Sequence, residues 1–279
     1  MRSGFVSLVG RPNVGKSTLL NALVGRKVSI VSNKPQTTRV AVRGVLTRGD
    51  SQAIFVDTPG LHKAVSALGE KINATALGST KDVDVTCLVI DATQPIGSGD
   101  EWVASHIDMA RCVVVLNKAD RASREQMLAQ LSRAAKFGAE SYFPISAHTG
   151  EGVEALVAHL LELMPEGELL YPPEIISETD DVTWVAELVR EVLLDRTSEE
   201  LPYSIATRAS RTDEGVILCE IVVERDSQKG MVIGKGGSML KAIRQAVKPQ
   251  LPKGTKLELN VVVDKNWQQR ADRVERLGY

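Results

Sequence analysis

The residues with the most to offer chemically come early in the chain. Gly10-Arg11-Pro12-Asn13-Val14-Gly15-Lys16-Ser17-Thr18 sets two glycines five positions apart, ahead of a lysine and two hydroxyls. Glycines so spaced let backbone N–H groups converge on phosphate oxygens, and the start of a following helix adds positive partial charge. Lys16 can reach the β- and γ-phosphates of a nucleoside triphosphate, and Ser17 can ligate Mg²⁺. The chemistry so equipped is the binding and transfer of a phosphoryl group.

A phosphate loop does not choose a base; Asn117-Lys118-Ala119-Asp120, at the end of the apolar run VVVLNKAD, does. The Asp120 carboxylate can accept hydrogen bonds from the N1 and N2 donors of guanine. Adenine has neither donor and would leave the carboxylate unpaired, at a cost of about 1–3 kcal/mol. Asn117 ties the loop together, and the stem of Lys118 can lie along the base. Ile145-Ser146-Ala147 follows a later strand and offers a backbone N–H to guanine O6.

Asp57-Thr58-Pro59-Gly60 closes another apolar run, AIFVDTPG. Asp57 is placed to hold Mg²⁺ through water, and the Gly60 N–H to sense the γ-phosphate. Pro35-Gln36-Thr37-Thr38-Arg39 has no structural period. A threonine there can complete the Mg²⁺ shell and let go after hydrolysis, and Thr38 is favoured over Thr37. Ser17, Thr38 and Asp57 are thus the expected metal ligands, and Lys16, Thr38, Gly60 and Asn13 the candidates for catalysis.

A second constellation lies near the other end. Ile233-Gly234-Lys235-Gly236-Gly237 carries a G-x-x-G turn between two helical patterns. Such a turn can clamp a single-stranded RNA backbone, the glycines permitting close approach and the lysine meeting phosphate. In the following LKAIRQAVK, Lys241, Arg244 and Lys248 recur at three- and four-residue spacing and share one helix face. The whole window from Ser227 to Lys256 holds seven basic residues and no acid, a one-signed field that attracts polyanions.

These groups need elements to hold them. Strands are expected at 4–9, 40–47, 53–57, 85–91, 111–117 and 141–145, alternating with helices at 17–23, 102–109, 124–136 and 153–163. That alternation predicts a mostly parallel α/β sheet covered on both faces. The short link at Gly49-Asp50 predicts an antiparallel hairpin at one edge. Residues 1–167 form this first domain. MPEGELLYPPEIISETDD, rich in proline and without period, places a linker at 168–181. Residues 182–279 form a smaller α+β domain. Helices are expected there at 182–195, 229–232 and 238–247, and strands at 203–210, 216–224 and 256–264.

In their order the five nucleotide segments resemble those of the translation-factor-like branch of P-loop GTPases. One departure is mechanistic: Ras-like proteins place a water-orienting glutamine after DxxG, and this chain has Leu61. Leucine cannot orient water, so unaided hydrolysis should be slow. Asn13 stands where potassium-dependent relatives hold K⁺ against the phosphates; here it either does the same or only caps the loop. With a type-2 KH element order following, the chain resembles the Era GTPases over nearly its whole length, including QTTR, ELPYS, MVIGKGG and the terminal LGY. The resemblance implies GTP and GDP as ligands and binding near the 3′ end of 16S rRNA. It further implies a role in small-subunit maturation and peripheral contact with the inner membrane.

Composition is consistent with a soluble protein: 279 residues, 43% hydrophobic, net charge −1, and no apolar run long enough to span a bilayer. Cys87, Cys112 and Cys219 lie scattered in apolar stretches and read as buried thiols in a reducing compartment, the cytoplasm. A monomer is expected. The four histidines are isolated, His62 beside Leu61 being the one worth testing, and Trp267 reads as core filler. Two other readings compete: a passive KH adaptor that binds nucleotide without turnover, and a tRNA-modification GTPase. The G-x-x-G loop counts against the second.

Overall fold

Uninterrupted runs of valine, isoleucine and leucine supply the central strands, because a parallel strand covered on both faces has no solvent side for polar residues. In the computed structural model, which describes residues 1–60, 66–78 and 82–279, every residue of Val85–Asp91 and Cys112–Asn117 is buried. Packing divides the chain into two units, the first built from Met1–Val31, the segment from Thr38 onward that carries the next two strands, and Lys71–Glu178, the second mainly from Thr179–Tyr279 together with Ser32–Thr37.

The first unit begins β1 (Arg2–Val9), α1 (Lys16–Val24), β2 (Val42–Arg48), β3 (Ser51–Asp57) and α2 (Ala67–Gly78). It continues β4 (Val85–Asp91), α3 (Ser98–Ala104), β5 (Cys112–Asn117), α4 (Arg124–Ala134), β6 (Ser141–Pro144) and α5 (Val153–Leu163). The sheet order is β2-β3-β1-β4-β5-β6, parallel except for the β2–β3 hairpin at one edge. Chain direction around the sheet reverses at β1, and the crevice beyond the carboxyl ends of strands at such a point is where open α/β sheets bind ligands. The loops after β1, β3, β5 and β6 all open into that region.

Three local expectations are corrected. The helix expected over 102–109 runs instead from Ser98 to Ala104: the Asp100 carboxylate accepts from the Gly97 N–H (3.1 Å) and fixes an earlier start. The strand expected from Tyr203 begins at Ala206, because Leu201–Ser204 forms a helical turn with Pro202 in its first positions. The segment 168–178, read as linker, is fastened to the sheet. Gln52, fully buried, accepts from the Leu170 and Tyr171 N–H groups (2.9 Å each) and donates to Tyr171 O (2.8 Å). Val45 then donates to Ile176 O (2.9 Å), so the chain borders the exposed edge of β2 as far as Glu178.

The second unit runs α6 (Asp181–Arg196), α7 (Leu201–Ser204), β7 (Ala206–Arg211), β8 (Ile217–Val223), α8 (Asp226–Ile233), α9 (Ser238–Val247), β9 (Leu257–Val263) and α10 (Ala271–Arg276). Its sheet order is β7-β8-β9, with β7 antiparallel and β9 parallel to β8. Leu188 and Val192 of α6 join Ile243 and Val247 of α9 in one core with Ile221 and Val223 of β8. Trp267 is completely buried, donates its indole N–H to Ser204 O (3.0 Å) and stacks on Tyr279 with ring centres 6.0 Å apart. It ties the chain's end to this core and is not offered to a ligand.

All three cysteines are free and buried, on β4, at the start of β5 and on β8. Loss of hydration pushes the Cys112 and Cys219 thiols up to about 12 and Cys87 well above its usual range. Native protein at pH 8 should therefore give no fast reaction with a disulfide reagent, and unfolded protein should release three equivalents. Rapid native labelling would show that the strand bearing the reactive thiol is misplaced.

Candidate functional site

The site is assembled by loops that leave the strands at their carboxyl ends. Register places Leu8 of β1 beside Asp57 of β3, and Thr58 Oγ1 donates to Leu8 O (2.7 Å). That bond holds the start of the DTPG segment against the loop between β1 and α1. Gly60 packs directly on Pro12: a Cβ at Gly60 would lie 2.8 Å from Pro12 Cα, so only glycine allows the approach.

Lys16 is the first residue of α1 and is buried, with Nζ donating to Gly10 O and Arg11 O at 3.0 Å each. Desolvation draws its pKa down to about 8 against the attraction of Asp57, so the ammonium is still largely charged at neutral pH. It sits inside the loop's curve, where triphosphate oxygens can replace the two carbonyls as partners.

Asp57 is the centre of a hydroxyl cluster. Its Oδ2 accepts from Ser17 Oγ (2.7 Å), Ser29 Oγ (3.1 Å) and Thr38 Oγ1 (3.2 Å), and the Ser17 and Thr38 hydroxyl oxygens lie 2.9 Å apart. Thr37 does not join them; its hydroxyl donates to Lys34 O (2.7 Å). Burial pushes the Asp57 carboxyl up, opposed by Lys16 and the three hydroxyls. Its Oδ1 is buried without a hydrogen-bond partner. An orphaned carboxylate oxygen beside two convergent hydroxyls is a donor set suited to a hard, oxygen-preferring divalent cation.

Base-reading loops are fastened to the phosphate loop. Asn117 Nδ2 donates to Val14 O (2.9 Å), and Lys118 Nζ reaches Asn13 O (2.7 Å) and Asp91 Oδ2 (2.6 Å). Burial pushes the Asp91 carboxyl up, but Lys118 and Thr93 together hold it below its ordinary value. Asp120 is exposed, and Ser146 Oγ donates to its Oδ1 (2.6 Å), orienting the carboxylate. In the Ser146-Ala147 pair, expected to offer a backbone N–H to guanine O6, the Ser146 N–H donates to Glu151 O and the Ala147 N–H to Asn117 Oδ1 (2.9 Å each). In this structure Ser146-Ala147 acts by positioning Asn117 and Asp120.

Arg11 also differs from a simple phosphate contact. Its Nε donates to Asp100 Oδ1 (2.8 Å), a carboxylate 2% exposed on α3, so the side chain braces the loop on that helix. Asn13 is exposed and held at φ +64°. Leu61 and His62 lie outside the described residues.

Ser29, Asp91 and Asp100 were not found from the sequence. Ser29 belongs to no motif; Asn21 presents it, accepting from the Val28 and Ser29 N–H groups (2.8 and 2.9 Å). Asp91 had a usable signal, as an acid at the carboxyl end of a buried strand.

In the second unit, α8 ends at Ile233 with Gly234 as its cap and α9 begins at Ser238, with Gly234, Gly236 and Gly237 all at positive φ. Lys235, Gly236, Lys241 and Arg244 are exposed, while Ile233 is partly buried against the core and supports the turn from beneath. Of the residues expected to meet RNA, those four are thus accessible, and Gly234 and Gly237 are half-buried.

Comparison with known proteins agrees with this division. A family model described as a 50S ribosome-binding GTPase matches residues 5–118, and a KH domain model matches residues 200–268. The GTPase Era of Mycobacterium sp. (strain KMS) is 42% identical across 100% of this chain and 99% of its own. That of Mycobacterium tuberculosis (strain ATCC 25177 / H37Ra) is 41% identical over 99% and 98%. Two solved structures superpose with TM-scores of 0.94 at 37% identity, covering 100% of this chain and 99% of theirs. One is an Aquifex aeolicus Era variant bound to GDP·AlF₄⁻; the other is Era in complex with MgGDPNP and nucleotides 1506–1542 of 16S ribosomal RNA.

Proposed function

The chain belongs to the Era family of GTPases, and from that premise we propose that it is an RNA-coupled switch whose second unit holds the 3′ region of 16S rRNA during maturation of the small ribosomal subunit. As a member of that family it hydrolyses GTP, which leaves no place for the passive-adaptor reading. The observation that carries the proposal is the Ser17–Thr38–Asp57 cluster, closed by contacts of 2.7–3.2 Å, in the same chain as an exposed G-x-x-G turn.

Mg²⁺ bound here would neutralise charge developing on the β- and γ-phosphates. Ser17 and Thr38 would offer it hydroxyl oxygens, and Asp57 its orphaned Oδ1 through water. Lys16 would exchange its two loop carbonyls for phosphate oxygens, and the Gly60 N–H would meet the γ-phosphate. Because Thr38 belongs to the segment leading into β2, its contacts with Ser17 and Asp57 are what ordering by triphosphate would keep and hydrolysis would release.

Asn13 is the candidate for a monovalent-cation requirement. Replacing K⁺ by Na⁺ at equal ionic strength should slow GTP hydrolysis at least about tenfold, and Asn13→Ala should abolish the difference, since the ion supplies charge that an arginine otherwise provides. Equal rates in the two salts would show that Asn13 only shapes the loop.

No helix among the described residues is long and apolar enough to cross a membrane. A cytoplasmic monomer with at most peripheral inner-membrane contact fits this reading. Crosslinking the GTP-loaded protein to total cellular RNA should recover the 3′ end of 16S rRNA as the dominant site. A dominant site in tRNA or large-subunit RNA would overturn the assignment.

A further inference from the structure

The basic window does not end where the G-x-x-G turn and the first half of α9 have used it. On α9 and at its C-cap, Lys241, Arg244, Gln245 and Lys248 share the face opposite Ile243 and Val247, which are completely buried. At 1.5 Å per residue, Lys241 and Lys248 are about 10 Å apart along the axis. The stripe thus leaves the turn and arrives at the far end of the helix.

There the chain folds into a groove of about 490 Å³, formed between the end of α9 and the start of β9. Gln245, Lys248, Lys253 and Thr255 line it with polar groups, and Leu251 and Pro252 give it an apolar wall. Lys241, Arg244, Lys248, Lys253 and Lys256 are all exposed, and none forms an ion pair with a described carboxylate. Solvated surface lysines in a protein with 35 acidic residues are usually interspersed with acids; here thirty consecutive residues contain none. With a screening length of about 8–10 Å, neighbouring charges along this stripe reinforce one another.

We propose that this groove is a second RNA-backbone site, in which Lys248 and Lys253 bind phosphates of the strand beyond the nucleotides clamped at Gly234–Gly237. A KH turn clamps about four nucleotides, which leaves a longer strand free to follow the α9 stripe. Gln245 and Thr255 supply hydrogen bonds to sugar or phosphate oxygens, and the Leu251–Pro252 wall covers an apolar ribose or base face. The groove is lined without an aromatic residue, so it adds affinity and register more than base identity.

The inference rests on the RNA-binding reading of the second unit, and one experiment separates the two. Full-length protein carrying Lys248→Gln and Lys253→Gln is titrated with a six-nucleotide and a twenty-nucleotide single-stranded RNA at several salt concentrations. Glutamine keeps the helix end and removes only the charge, and the melting temperature should not move. Binding of the long RNA should weaken about tenfold, and the slope of log affinity against log salt should fall by about 1.4, the value for two lost phosphate contacts on single strands. Binding of the short RNA should be unchanged. Unaltered binding of the long RNA, or equal weakening of both, would overturn the second site. Wild-type protein that bound neither RNA would instead bring down the RNA-binding reading on which it stands.

Discussion

Asp120→Asn should weaken GTP and GDP binding by about two to three orders of magnitude and transfer the preference to xanthine nucleotides. The wild-type carboxylate is exposed at the end of β5 and turned by Ser146 Oγ, which donates to Oδ1 at 2.6 Å. Its other oxygen and remaining lone pairs can accept from guanine N1 and N2. In the variant, the amide oxygen can keep the Ser146 bond, which leaves the NH₂ group facing the base. Donor would then meet donor on guanine, whereas xanthine presents a carbonyl at that edge. Hydrogen bonds to a charged group are worth about 1.5–3 kcal/mol each, and two of them account for the expected loss at 1.4 kcal/mol per tenfold. Calorimetric titration with GDP and XDP in the presence of Mg²⁺ gives the ratio directly. An unchanged ratio would mean that the base lies elsewhere. Thermal stability should not change, because the residue is exposed and its hydrogen bond from Ser146 survives.

The size of that effect depends on a scaffold that was only partly legible in the sequence. The phosphate loop was readable because its meaning is local: a buried strand, a glycine-bearing turn and a helix start within some twenty residues. The metal-facing cluster was half readable. Ser17 and Asp57 belong to recognisable segments, but Ser29 meets Asp57 only through a loop fastened by Asn21, and no local pattern marks a hydroxyl that arrives that way. The preference for Thr38 over Thr37 had no local pattern behind it. It depends on which hydroxyl is spent on a carbonyl of its own turn, and that is Thr37.

Elements went astray where one residue outweighed periodicity. Trp102, Val103 and Ile107 suggest a helix centred late, yet Asp100 caps Gly97 and pulls the start to Ser98. Helix α2 was missed because ALGEKINATALG offers little contrast between faces. The stretch from Glu168 to Glu178 looked like free linker on composition alone. What composition does not record is that β2 is an edge strand with unpaired backbone groups and that Gln52 presents three hydrogen bonds to the passing chain. Arg11, grouped by motif with the nucleotide contacts, is held by a buried acid 89 residues away, a pairing that only the folded sheet creates.

Lys235→Glu combined with Gly236→Asp should abolish most RNA binding while leaving the nucleotide site alone. The turn has room for the change. Gly236 adopts φ +59°, ψ 27°, a conformation that aspartate enters more readily than most residues, and a Cβ there meets nothing within 4 Å. Gly234 would be a poor choice, since a Cβ at that position would lie 2.7 Å from the Met239 amide nitrogen and disturb the start of α9. Both substituted positions are exposed, so the folded core has nothing to lose. The double variant alters the charge at the clamp by three units where phosphates must approach closely, and affinity for a short single-stranded RNA should fall about a hundredfold or more at low salt. GTP affinity in the same protein should stay within about twofold of wild type, and the urea midpoint should fall only slightly, through the strain of an L residue at the positive φ of Gly236. A parallel fall in GTP affinity would show that the nucleotide and RNA sites are not separate.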